Sequence, residues 1–79
     1  MVRLKNIRKS NTTIFAEYDP EDSGMIGKIK IDAVTGEVLE RTLSEYDRDF
    51  PWHYSHAVSA LQEMKDLDEI PSERLVMWY

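Results

Sequence analysis

One segment, Pro51 to Leu67 (PWHYSHAVSALQEMKDL), carries a helical period, and it has a single apolar stripe. At 100° per residue, Tyr54, Ala57, Val58, Leu61 and Met64 fall within about 60° of one another's centre at Leu61. Ser55, Ser59, Gln62, Glu63 and Asp66 fall opposite, His53 and Ala60 lie on one flank, and His56 lies further out. Pro51 suits a first helical turn, where its missing N–H costs nothing. Pro71 stops any continuation and holds Ile70 extended. A helix with one apolar stripe cannot bury itself, so the rest of the chain must provide a surface for it.

That surface reads as strands. Val2 to Arg8 alternates loosely. Thr12 to Tyr18 is rich in β-branched and aromatic residues. Met25 to Asp32 has the cleanest period of two, with Ile29 and Ile31 on one face and Lys28 and Lys30 on the other. One buried and one wet face point to an antiparallel sheet. Glu37 to Leu43 follows a short Gly36-containing loop that reads as a hairpin. Arg74 to Trp78 reads as a fifth strand. Ser44 to Asp47 has the form of an N-cap with an acid three residues later, the start of a short helical turn. Asp19, Glu21 and Asp22 read as a solvated acidic turn.

The expected fold is therefore α+β: an antiparallel sheet of four to five strands with one helix on one face, in the order β-β-β-β-α-β. Strand five is expected antiparallel beside strand one. The floor under the helix should be Leu4, Ile14, Ile29, Ile31 and the residues of strand five. With 79 residues, the chain is one small domain with one modest core.

The stretch Lys28 to Glu40 (KIKIDAVTGEVLE) resembles the terminal hairpin of PepSY-type domains, an isoleucine-rich strand, an Asp and then TGEV. The resemblance covers 13 of 79 residues, and no matching helix precedes it, so it implies a hairpin and assigns no family.

Composition narrows the function. There is no cysteine, so disulfides, thiolate nucleophiles and cysteine-ligated metals are excluded. The N-terminal MVRLKNIRK has no apolar core of a signal peptide, and a cytoplasmic setting is expected. No run is long enough to cross a membrane. The net charge is −5, which disfavours general nucleic-acid binding. Its distribution is uneven: residues 1–30 hold six Lys/Arg against four Asp/Glu, and residues 31–79 hold four against eleven.

Three function readings follow. The first is a non-catalytic protein-interaction or regulatory module, with a homodimer among its expected states. Its contact residues would be Trp52, which points away from the stripe, and Trp78 and Tyr79 at the end of the sequence. The second is a metal-binding protein or small metal-dependent enzyme using His53, His56 and an acid from Asp47 or Asp49. A pair of histidines with no third ligand on the same element does not by itself define such a site. The third is nucleic-acid binding through Arg3, Lys5, Arg8, Lys9, Lys28 and Lys30 on the polar face of the sheet. No nucleophile motif, phosphate loop or dinucleotide fingerprint is present, so no catalytic residue and no cofactor are expected.

Overall fold

Five segments extend and pair because each offers alternate apolar side chains to one side. The computed structural model describes residues 1–78, as β1 (Val2–Ser10), β2 (Thr13–Pro20), β3 (Gly27–Asp32), β4 (Val38–Thr42), a 3₁₀ turn (Glu45–Asp47), α1 (Trp52–Met64) and β5 (Arg74–Val76). The strands form one sheet in the order β4-β3-β2-β1-β5, and every pairing is antiparallel. The helix packs on one face. This is the β-β-β-β-α-β arrangement read from the sequence, with β5 beside β1.

The core lies between helix and sheet. Val2, Leu4, Ile7, Ile14, Ala16, Tyr18, Ile29 and Ile31 form the floor, and Tyr54, Ala57, Ala60, Leu61 and Met64 lie on it. The buried arc of the helix is centred on Ala57. It therefore takes in Ala60, read as a flank residue, and leaves Val58 only half-buried.

Several elements are shorter than the sequence pattern predicts, β3 among them, which begins at Gly27 rather than Met25. The helix stops at Met64, the last residue of its apolar stripe, because 65–69 carry little that the sheet could bury. Strand β4 covers only Val38–Thr42. Strand β5 ends at Val76, opposite Val2. Beyond Val76, Trp78 turns onto the helix and packs against His53 and His56.

A bulge in β1 keeps the core continuous. Lys5 pairs with Glu17 and Arg8 with Phe15, so β1 has one residue more than β2 across this stretch. The extra residue switches the buried face from even to odd numbers, which sends Ile7 inward after Val2 and Leu4. Asn6 absorbs the irregularity at φ 51°, a left-handed conformation that Asn tolerates better than branched residues. Its amide donates to the Glu17 carboxylate across the pair.

The acidic 19–24 segment is not the solvated turn expected. β2 continues through it to Pro20, two residues past the point where β3 begins, so the missing proline N–H meets no ladder. Asp19 is buried. Its carboxylate accepts from the Gly24 N–H at 2.9 Å and from Lys5 Nζ at 3.3 Å. Asp22 pairs with Arg3, whose Nε lies 2.9 Å from Oδ1.

Opposite Tyr18 stands Gly27, and a Cβ there would overlap the Tyr18 ring. The ring lies flat across the glycine, and its hydroxyl accepts the Ser44 N–H at 2.8 Å. Burial pushes that hydroxyl's pKa above its ordinary value. Gly27→Ala is expected to lower stability by about 1–3 kcal/mol, the cost of overpacking a filled site. Urea denaturation measures it, and an unchanged midpoint would refute the packing account.

The β3–β4 hairpin closes through Asp32, whose Oδ1 accepts the N–H groups of Val34 at 2.7 Å and Thr35 at 2.9 Å. Gly36 occupies the left-handed position at φ 81°. The Thr35 and Val34 N–H groups hold the Asp32 carboxyl below its usual range, and Arg3 does the same for Asp22. Because the folded-state values are depressed, the unfolded chain binds protons first on acidification. Their stabilisation is whole above the ordinary carboxylate pKa of about 4 and is lost as pH falls through the depressed values. Asp32→Asn can keep the turn bonds and removes the titration. It should flatten the loss of stability below about pH 5, read as denaturation midpoint against pH.

Candidate functional site

Three chain segments converge at one end of the sheet. They are the 20–26 connection, the 43–52 connection with the start of α1, and the residues after β5. The register brings them together, since Val2 pairs with both Pro20 and Val76, and Gly27 and Thr42 end their strands at the same edge.

The first element of the site is Asp47. Helix α1 begins after Pro51, and no side-chain bond caps it there. The early N–H groups of a helix need acceptors from elsewhere. Asp47 supplies one from outside the helix: its Oδ2 accepts the Tyr54 N–H at 2.7 Å. The same carboxylate places Oδ1 2.7 Å from His53 Nδ1. It is 1% exposed. The 3₁₀ turn that carries it is held by Ser44, whose hydroxyl accepts the Tyr46 N–H at 3.1 Å and donates to the Met25 carbonyl.

His53 is half-buried, with a partner at each ring nitrogen. Its Nε2 lies 3.0 Å from Glu21 Oε2, and the Met1 amine meets the same carboxylate. Tyr46 stands edge-on to the imidazole, with ring centroids 5.2 Å apart, and Trp78 does so at 5.3 Å. Both ring nitrogens face carboxylate oxygens.

His56 takes a different partner. Its ring stacks on Trp78 at 4.0 Å and 8°. The two histidines thus do not converge on a shared carboxylate. Asp47, rather than Asp49, is the acid the fold delivers to His53, and Asp49 is exposed. Among the described residues no cluster of three or more His, Asp or Glu is arranged to hold a metal. Both nitrogens of His53 are engaged by carboxylates.

Above this polar floor is a groove of about 570 Å³ lined by Glu21, Tyr46, Asp47, Phe50, Trp52, His53 and Trp78. Phe50 is 71% exposed and Trp52 64%, and Tyr46 is also exposed. Trp52 therefore stands on the outer side of the helix, as its angular position predicts. Trp78 is half-buried and packs against the core edge. Tyr79 lies outside the described residues.

Sequence reasoning named Trp52 and Trp78 but missed Glu21, Tyr46 and Phe50 as parts of one site. Glu21 comes from a turn 32 residues before His53, and no local pattern ties the two. Phe50 was legible only as an aromatic beside a proline.

The cationic residues are spread over the opposite, helix-free face of the sheet. There Lys28 and Lys30 alternate along β3, while Glu17 and Glu40 stand opposite them on the neighbouring strands. Lys5 faces Asp19, Lys30 reaches Glu40 at 4.0 Å, and Arg8 lies over the Phe15 ring at 4.6 Å. The face is mixed in charge and has no continuous basic track. Among the described residues no helix is long and apolar enough to cross a membrane.

No protein-family profile, curated protein or solved structure matches this chain.

If Asp47 joins the helix start to His53, its removal should exceed the loss of an ordinary surface cap. Asp47→Ala is expected to cost about 2–3 kcal/mol, from the lost cap and the donors left without acceptors. Asp47→Asn keeps one acceptor and should cost roughly half as much. Urea denaturation gives both numbers, and equal, small losses would refute the role.

Proposed function

We propose that this chain is a non-catalytic protein-interaction module, and that its contact surface is the aromatic end formed by Tyr46, Phe50, Trp52 and Trp78. The observation that carries the reading is the exposure of Phe50 and Trp52 beside the groove. Aromatic side chains bury large apolar areas when covered, and they are enriched at contact surfaces. Left in water as a group at one end of a small domain, they are suited to being covered by something else.

The polar floor supports the same reading. The rings of His53 and His56 are fixed by carboxylates and by Trp78, so the surface is preorganised and loses little freedom on binding. The cysteine-free composition fits a reducing compartment such as the cytoplasm.

The partner is a protein other than a second copy, because two copies each carrying net charge −5 repel one another. Affinity capture from cells expressing the protein, followed by calorimetry with each purified captured protein, tests this. At least one captured protein should bind the wild type directly and lose about tenfold or more in affinity with Trp52→Ala. Val34→Ala, at an exposed apolar residue of the β3–β4 loop, should leave binding unchanged. If no captured protein meets both conditions, the reading fails. A dimer by sedimentation velocity that Trp52→Ala dissolves would replace the outside partner by a second copy.

A further inference from the structure

The chemistry of the groove narrows the partner further, on the reading that the aromatic end is a contact surface. We infer that the groove takes an arginine side chain from an exposed segment of the partner protein.

Two independent features of the groove point to a cationic, planar group. The first is its walls. Phe50 and Trp52 are exposed, and Tyr46 and Trp78 close the sides around His53. Aromatic faces carry negative potential and attract a cation placed within about 6 Å of the ring centroid, and Trp does so best. An apolar partner side chain would use the area of these rings and leave their faces' charge unused.

The second feature is the charge. Glu21 and Asp47 line the groove, and no Lys or Arg is among its lining residues. Asp47 is turned toward the Tyr54 N–H and His53 and is buried. Glu21 Oε2 is engaged by His53 Nε2 and the Met1 amine, and the carboxylate is 30% exposed. Of the two carboxylates lining the groove it is the one whose charge an incoming group can approach.

Arginine fits this combination better than lysine. Its guanidinium is flat and stacks on an aromatic face while its edge donates to a carboxylate, whereas an ammonium is a compact and strongly hydrated point charge. The same chemistry is at work inside this chain, where Arg8 lies over Phe15 and Arg41 over Tyr54, with the guanidinium carbon 4.6 and 5.5 Å from the ring centroids. Neither arginine belongs to the groove.

The test uses three small probes on the full chain: N-acetyl-arginine amide, the citrulline analogue, which keeps the planar shape without the charge, and the lysine analogue. Each is titrated into isotope-labelled protein while the Trp52 and Trp78 indole N–H signals and the backbone of residues 21 and 46–53 are followed by NMR. Saturable shifts confined to these signals are expected with the arginine probe. Citrulline should bind about tenfold more weakly, the ratio of a well-placed cation–π contact. Lysine should fall between them. Trp52→Ala and Glu21→Gln should each weaken the arginine probe severalfold, with the remaining spectrum unchanged as proof of folding.

Equal binding of arginine and citrulline would overturn the inference and reduce the groove to an apolar surface. Absence of localised shifts would overturn it too. Shifts at Arg8 and Lys9 that depend on protein concentration would also overturn it, by making the cation a second copy's exposed β1 end. None of these outcomes bears on whether a captured partner depends on Trp52, so the two readings fail separately.

Discussion

The buried carboxylate of Asp47 is the interaction on which the aromatic end depends. A carboxylate taken out of water is stabilised only when its oxygens are fully used. Here one oxygen accepts a helix N–H and the other faces an imidazole, both at 2.7 Å. The contacts cannot be separated. The 3₁₀ turn aims the side chain, the side chain starts the helix, and the helix start places His53. His53 then meets Glu21 from a turn far away in the chain. Three segments are thereby held in one arrangement by a group that reads in the sequence as an ordinary loop acid.

The sheet decides where the exposed apolar surface falls. One helix of 13 residues covers one face of the sheet, and no other described helix covers the opposite face. The open face is accordingly polar, with cross-strand charges of both signs that satisfy one another. The ends of the sheet are different. At the end holding Glu21 and Asp47, the connections are long, and they carry Met25, Tyr46, Phe50 and Trp52 outward. The aromatic surface is the result of stacking those connections over the helix start.

The two sheet edges are poor alternatives as contact surfaces. β5 is three residues long, which leaves little backbone for another strand to pair with. β4 is longer but bends at Leu39, where its register with β3 shifts, and it presents Glu40 and Arg41 in succession. A symmetric antiparallel pair of β4 strands centred on either residue would set like charges opposite each other. Both edges are thus guarded in the ways natural sheets use, and the aromatic end is left as the surface whose chemistry is unspent.

What the sequence determined by itself is the set of elements and their order. Period two over Lys28–Asp32 and period 3.6 over Tyr54–Met64 are local properties, and they name the sheet floor and most of the helix stripe. The position of Trp52 on the outer helix face follows from the same angle count. Only the tertiary structure decided which residues form the site. Asp19 looks like a turn acid because composition cannot reveal that β2 continues past β3 and takes it in, and Glu21 is a turn acid whose partner is His53. Asn6 looks like part of an alternating strand because a bulge is defined by the partner strand. His53 and His56 look like a pair because they are three residues apart, yet one is fixed by Asp47 and Glu21 and the other by Trp78. The physical reason is common to all of these. Periodicity is written along one chain segment, whereas a hydrogen bond from residue 21 to residue 53 exists only after the strands between them have paired.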